Sequence, residues 1–146
     1  AGERQLLAQS PAGREKLALH TMLLIGRNFY HGIDPKSVTE LAADMQIPAG
    51  LVKEFLDIFA ETRLVLPIVD GETYVLGRDP ETIFIKDILD CVRHSGKKIK
   101  IPSERSEEET EINFLLRDVD DAITKSLAEK SLQAVILTLP PPAARE

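Results

Sequence analysis

The sequence predicts a mainly α-helical fold with a small β-hairpin, arranged as a winged helix-turn-helix domain followed by C-terminal helices. Apolar residues recur at helical spacing from Leu17 to Phe59. The period then changes to two strand-like runs around an Asp-Gly turn, and helical spacing returns from Ile85 onwards. Two short helices joined by a tight turn, with a hairpin directly after them, are the element order of a winged helix.

The first helix is predicted to begin with Ser10 as its N-cap and Pro11 in its first turn. Proline suits that position because the missing N–H would have no partner within the helix. We expect the helix to end near Gly32, since glycine commonly follows the last helical turn. Its broad apolar stripe consists of Leu17, Leu19, Met22, Leu23, Leu24, Ile25 and Phe29.

The next two helices are short and form the helix-turn-helix. Ser37 and Glu40 match a capping box, in which the serine oxygen faces the Glu40 amide and the carboxylate reaches back. A tight turn follows at residues 46–48, and Pro48 sets the first dihedral of the third helix. The apolar residues of the second helix are Leu41, Ala42 and Met45, and those of the third are Leu51, Val52, Phe55, Leu56 and Phe59.

The wing is predicted over residues 64–69 and 73–76, which are rich in β-branched and aromatic residues and flank the turn signal Asp70-Gly71. Asp79-Pro80 restarts the chain. A fourth helix then runs to Ser95-Gly96, and we expect it to pack back on the wing. Its apolar residues are Ile85, Ile88, Leu89 and Val92.

A last long helix is predicted from a second capping-box match, Ser106 with Glu109. Its apolar stripe needs a partner, either the rest of the chain or a second copy, and is the candidate dimer face: Ile112, Leu115, Leu116, Val119 and Ile123. Helical spacing continues to Ile136, and three prolines then end regular structure. We therefore expect a winged-helix domain over 1–96, a C-terminal helical extension over 97–139 and a disordered tail over 140–146.

The charge of the helix-turn-helix region argues against a DNA reader. The chain has a net charge of -6, and residues 33–79 carry 4 basic and 9 acidic residues. The third helix would present Lys53, Glu54, Asp57 and Glu61 to a partner. Most of these side chains would repel phosphate, whereas DNA readers make several Lys or Arg contacts to it. The sequence therefore favours a protein partner for this helix and makes nucleic acid an unlikely one.

The sequence shows no constellation of catalytic or metal-binding residues. His20, His31 and His94 lack the spacing of paired metal ligands. Cys91 is the one cysteine, and it lies on an apolar helix without a histidine pair, which is typical of a small buried hydrophobe. No Gly-rich phosphate loop is present, and the acidic run at 107–111 suits the first turn of a helix. We expect no enzyme, no cofactor and no metal.

The chain resembles the cytoplasmic C-terminal domain of YihY/BrkB-family inner-membrane proteins, which were long labelled ribonuclease BN-like. The resemblance is carried by Ser10-Pro11, Ser37 to Ala42, residues 47–52, Tyr74 to Glu81 and Ile101-Pro102 to Ile136. It implies a non-catalytic winged-helix domain at the cytoplasmic face of the inner membrane, attached through a region upstream of Ala1. It also implies action through protein contacts or self-association, most simply as a homodimer. The absent initiator Met agrees with an excised domain.

The chain also resembles winged-helix repressors of the IscR and NsrR type. These run from an Ile-Pro turn, here Ile47-Pro48, into the third helix and close the wing with a string similar to residues 74–80. The resemblance implies a transcription regulator that binds DNA. Such sensors use three cysteines for an iron-sulfur cluster, and this chain has only Cys91. The function of the whole protein, its partner and its oligomeric state stay open at this point.

Overall fold

The computed structural model describes residues 10–69, 71–95 and 106–143. Within these ranges the chain forms six helices and one two-stranded antiparallel sheet. The elements are α1 (Pro11–Tyr30), α2 (Val38–Met45), α3 (Ala49–Glu61), β1 (Val65–Ile68), β2 (Thr73–Leu76), α4 (Ile85–Arg93), α5 (Glu107–Leu127) and α6 (Leu132–Ile136). The predicted fold class, a winged helix-turn-helix followed by C-terminal helices, is confirmed.

The predicted caps fix where the first two helices begin. Ser10 Oγ accepts a hydrogen bond of 2.9 Å from the Gly13 amide at the start of α1. The box at α2 is complete, because Ser37 Oγ accepts from the Glu40 amide at 3.2 Å and Glu40 Oε1 accepts from the Ser37 amide at 2.9 Å. These bonds satisfy amides that have no partner within the helix. Gly32, with a φ of 68°, turns the chain just beyond α1.

The helix-turn-helix is held by the buried side of α3. Val52, Phe55, Leu56 and Phe59 are fully buried, while Leu51 at the first turn is half-buried. In the turn before α3, Gln46 adopts a left-handed conformation with a φ of 57°. This side of α3 meets α2, so the opposite side is left for solvent or a partner.

The wing pairs its strands in the register Val65 with Leu76 and Ile68 with Thr73. The Val38 amide donates to the Glu72 carbonyl at 2.8 Å, which ties the hairpin to the start of α2. Gly71 has the positive φ, 72°, that the predicted turn requires, while Asp70 lies outside the described residues.

The fourth helix was expected to pack back on the wing, and this is wrong. α4 packs mainly on α1, with further contacts to α3 and α5. The 20 residues of α1 give a long apolar stripe, whereas each strand of the wing has four residues. The apolar side of α4 therefore finds more surface to bury on α1 than on the hairpin.

The C-terminal residues close the core against α1. Leu132 and Ile136 of α6 are fully buried, and they reach α1 because Gly26 leaves space for them. A Cβ at Gly26 would lie 2.8 Å from Leu132 Cδ2 and 3.0 Å from Ile136 Cδ1. The Leu132 amide also donates to the Ile83 carbonyl at 2.7 Å. No helix in the described part of the chain is long and apolar enough to cross a membrane.

Candidate nucleic-acid interface

The beginning of α3 is the most open part of the helix-turn-helix. Pro48, Ala49 and Gly50 are exposed, and no side chain caps this end of the helix. The first amide groups of the helix therefore remain available to an outside acceptor, at the end where the helix dipole is positive. A Cβ on Gly50 would meet no atom within 4 Å. Another macromolecule can approach the backbone closely at this position.

Lys53 lies between α3 and the wing and has several partners in the fold. Its Nζ donates to the Gly71 carbonyl at 3.1 Å and to the Tyr74 hydroxyl, and it lies 3.2 Å from Asp57 Oδ1. The Tyr74 hydroxyl in turn donates to Asp57 Oδ1 at 2.9 Å. Two of the predicted contact residues, Lys53 and Asp57, thus neutralise each other and fix the wing to α3.

The same cluster shifts the titration of Lys53. Hydrogen bonding to Tyr74 raises the pKa of Lys53 above its usual value, and Asp57 adds to the rise, while partial burial opposes it. Since the pKa is higher in the folded state, the cluster contributes its full stability below the ordinary lysine pKa. That contribution is lost only as the pH rises through the raised value. At neutral pH the wing is held by a charged ammonium.

Replacing Tyr74 by Phe is expected to lower the free energy of unfolding by about 1 kcal/mol, the usual net contribution of such a hydrogen bond. The ring stays packed, because Tyr74 is only 2% exposed, and only the hydroxyl that joins Lys53 to Asp57 is removed. Urea denaturation measures the change. Tyr30→Phe is the control, since Tyr30 is 44% exposed and should tolerate the change. Equal stability of the two variants would contradict the role given to Tyr74.

Glu54, the next predicted contact residue, is paired by a cation from another helix. Arg14 Nη1 of α1 lies 3.0 Å from Glu54 Oε1, and its guanidinium lies 5.2 Å from the ring centre of Phe55. Glu61, at the end of α3, is exposed and has no ion pair to a described residue. The structure therefore pairs Glu54 and Asp57 internally and leaves Glu61 at the end of α3 that is remote from its open start.

Acidic residues of α2 are engaged in the same way. Lys36 forms an ion pair with Asp44, and Glu40 closes the capping box. Lys36 and Lys53 were already included in the charge count over 33–79, so only Arg14 lowers the net negative charge of this region, by one unit. Sequence reasoning missed Arg14 and Tyr74, because only the fold brings them to α3. The pairing of Lys53 with Asp57 could have been predicted, because residues four apart on a helix are neighbours.

The predicted dimer face on α5 is largely uncovered in the described chain. No residue of α5 is buried, and Ile112, Leu115, Leu116 and Val119 are 52–62% exposed. Ile123, the fifth, is half-buried where the end of α5 lies against α4. The end of this face at Ile123 is therefore partly covered by α4, while the end at Ile112 is exposed.

An additional exposed aromatic lies on the other side of the same helix. Phe114 is 54% exposed, and the guanidinium of Arg117 lies 5.9 Å from its ring centre. It lies outside the apolar stripe because its position is about half a turn away from Ile112. The sequence analysis did not single it out.

Cys91 has a partly apolar setting between α3 and α4. Its Sγ lies 3.2 Å from Thr62 Oγ1, and burial raises the pKa of the thiol. A raised pKa lowers the thiolate fraction at neutral pH, and the thiolate is the reactive form. Within residues 10–69, 71–95 and 106–143, no group of three or more His, Cys, Asp or Glu side chains is placed to hold a metal.

The fold is that of winged-helix proteins, and it is shared with several solved structures. The chain matches CymR (YrzC), the global cysteine regulator of B. subtilis, with a TM-score of 0.62 and 19% identity over 86% of this chain and 95% of that one. It matches T. potens IscR with a TM-score of 0.62 and 16% identity over 90% of each chain. Staphylococcus aureus CymR gives 0.61 and 14% identity over 86% of this chain and 97% of that one. No family model and no curated protein matches the sequence.

The expectation of a YihY/BrkB-family membrane-protein domain is wrong, because the matched structures are regulators that align over nearly their whole length. The residues that carried it are general features of the fold. Ser10 caps α1, Ser37 completes a capping box, and Pro48 precedes α3. Any winged helix needs such caps and turns, so they do not distinguish one family from another. The ribonuclease BN label and the placement at the inner membrane are wrong with it.

The expectation of a membrane-protein domain that acts through protein contacts or self-association, with nucleic acid an unlikely partner, is also wrong. The matched structures are regulators, as the second resemblance implied. The charge count over residues 33–79 missed Arg14, which lies outside that segment and pairs with Glu54. The fold also pairs Asp57 with Lys53.

Proposed function

We propose that the chain is a transcription regulator without enzymatic activity that binds duplex DNA through the beginning of α3 and the wing. The observation that carries the proposal is the open N-terminal end of α3, at Ala49 and Gly50, beside carboxylates that are already paired with cations. The fold supports it, since CymR is a regulator and a further structure of this fold is described as a putative DNA binding protein. In winged-helix proteins such a helix end enters the major groove.

The small residues at this end would let the helix approach the bases closely. Ala49 and Gly50 carry no bulk, and the uncapped amides of the first turn can donate to a phosphate oxygen. The Lys53 cluster would hold the wing at a fixed angle to α3, so that helix and hairpin meet the duplex together. Binding of this kind needs few exposed cations, because the backbone amides at the start of α3 supply part of the phosphate contact.

We further propose that two copies pair through the exposed part of the α5 face. Ile112, Leu116, Val119 and Ile123 are spaced by four, three and four residues, the alternation of a helix seam that packs against another helix. Monomeric proteins rarely leave a continuous apolar face of this kind exposed. A two-fold pairing would bury the same face on both copies. It would also present two α3 helices to one duplex, as a regulator of symmetric sites requires.

The test of DNA binding compares the DNA affinity of the Gly50→Glu variant with that of the parent protein. The probe is a duplex that the parent protein has enriched from a randomised pool. We expect fluorescence anisotropy to show at least about a tenfold weaker affinity, because the new carboxylate would face phosphate. The variant should fold as well as the parent, since a Cβ at Gly50 meets no atom and a carboxylate suits the first turn of a helix. Parent affinity should fall steeply with added salt.

Ala134→Glu is the matched control for the added charge. Ala134 is exposed on α6, outside the helix-turn-helix and the wing, so its variant should keep the parent affinity. Equal weakening in both variants would assign the effect to overall charge and contradict the role of α3. Failure of the parent to enrich any duplex from the pool at low salt would contradict the proposed function itself.

A further inference from the structure

A cavity of about 280 Å³ opens between the end of α1, the loop that leads to α2, and β2 of the wing. Its walls are mostly apolar and include Ile25, Phe29, Ile33, Leu41, Val75 and Leu76. Small-molecule sites in proteins begin at about 300 Å³, and an apolar cavity of about 150 Å³ holds benzene. The space therefore suits a molecule of about one substituted ring.

Asn28 places a polar group in this apolar cavity. The residue is only 8% exposed, and its side-chain amide has no hydrogen bond to any described residue. Its backbone carbonyl is used, since it accepts from the Ile33 amide at 2.8 Å. No side-chain oxygen or nitrogen in the described residues is both sealed from solvent and unpaired, so the Asn28 amide keeps some contact with solvent, and Asn28 lines the cavity. Buried amides in folded proteins have partners, and here a ligand can supply one.

The charges at the mouth of the cavity select against anions. Asp34 is exposed there and has no ion pair to a described residue. Lys36, the cation at the same mouth, is engaged by Asp44. The mouth is therefore net negative, while the apolar walls disfavour any charged group inside. Recognition falls to the Asn28 amide, which can both donate and accept a hydrogen bond.

We propose that this cavity binds a small uncharged molecule of about one ring, whose single polar group is hydrogen-bonded by Asn28. The site is separate from the open end of α3 and does not depend on DNA binding. Val75 and Leu76 belong to the wing, and Leu41 belongs to α2, so the ligand would contact two elements of the helix-turn-helix module. An effect of the ligand on DNA affinity would follow from this contact and rests on the proposed function.

The probe is benzamide, a neutral ring whose amide complements that of asparagine. In ¹H–¹⁵N spectra of the full chain, we expect benzamide to cause saturable shifts at the Asn28 side-chain amide and at the Ile33 and Val75 backbone amides. Benzoate should bind at least about tenfold more weakly because of Asp34 and the apolar walls. Asn28→Leu keeps the volume of the side chain and removes the amide, so it should weaken benzamide by about tenfold.

A second variant keeps the test valid if Asn28→Leu fails to fold. Ile33→Trp fills the mouth of the cavity at an exposed position and should abolish the shifts. Leu137→Trp, at another exposed apolar position just beyond α6, should leave benzamide binding unchanged. The spectrum of each variant reports whether it is folded. Loss of binding in Ile33→Trp but not in Leu137→Trp supports the site.

Three results would overturn the proposal. These are no saturable shift with millimolar benzamide, shifts that map to the α5 face instead, and binding of benzylamine but not of benzamide, which would assign recognition to Asp34. The two proposals fail separately. If the chain binds benzamide but no duplex, the cavity proposal holds and the DNA proposal is refuted. If it binds a duplex but not benzamide, the DNA proposal holds and the cavity proposal is refuted.

Discussion

Replacing Leu115 by Glu should convert a dimer of this protein into monomers, with a dissociation constant raised by at least about 100-fold. Leu115 is 62% exposed and lies in the apolar stripe of α5, so the fold of a single copy does not depend on it. In a dimer the same position would be buried, and burying an unpaired carboxylate costs several kcal/mol. Light scattering over a range of protein concentrations measures the change. DNA affinity should fall as well, because the two α3 helices would no longer bind as one unit.

Phe114→Glu is the matched control for this prediction. Phe114 lies on the same helix with a similar exposed fraction, but outside the apolar stripe, so its variant should remain a dimer. If both variants dissociate equally, the interface is not the Ile112 to Ile123 stripe. If the parent protein scatters as a monomer at every concentration, the pairing of two copies through α5 is refuted.

Replacing Gly77 by Ala should destabilise the fold by about 3 kcal/mol, the upper end of the range for an added methyl group in a packed site. A Cβ at Gly77 would lie 2.0 Å from the carbonyl oxygen of Arg63 and 2.9 Å from its carbonyl carbon. Both atoms are backbone, so no side chain can move aside to relieve the contact. The hydrogen bond from the Gly77 amide to the Leu64 carbonyl, 2.9 Å long, would have to distort or break.

Urea denaturation of Gly77→Ala beside Gly50→Ala separates this clash from the general cost of replacing glycine. A Cβ at Gly50 meets nothing within 4 Å, and alanine is the better helix former, so that variant should be as stable as the parent or slightly more so. A loss of less than about 1 kcal/mol in Gly77→Ala would contradict the close contact between the wing and the end of α3.

The helix starts were predictable from sequence because their hydrogen bonds are local. Ser10 bonds to an amide three residues away, and so does Ser37, so the serine and its spacing are enough to place α1 and α2. The buried side of α3 was equally readable from the spacing of Val52, Phe55 and Phe59. The hairpin followed from a glycine whose positive φ the turn requires.

The electrostatics of the candidate interface could not be predicted, because its pairs join distant parts of the chain. Arg14 and Glu54 are forty residues apart, and α1 must first pack beside α3 before they can meet. The Tyr74 hydroxyl reaches Asp57 only after the wing folds back on α3. A count of charges along a segment has no access to such contacts. It therefore missed the positive charge that Arg14 brings to α3.

The attachment of α5 has a consequence for the operator that such a dimer would recognise. The Lys130 amide donates to the Leu127 carbonyl at 2.7 Å, and the Ile85 amide donates to the Lys130 carbonyl at 2.9 Å, so the end of the 21-residue helix is tied to the core by backbone bonds. A rigid mount of this kind would leave two joined copies little freedom to slide along the double helix relative to each other. The spacing between the two half-sites of a palindromic operator would then be set by α5. The base sequence of each half-site would be recognised by α3.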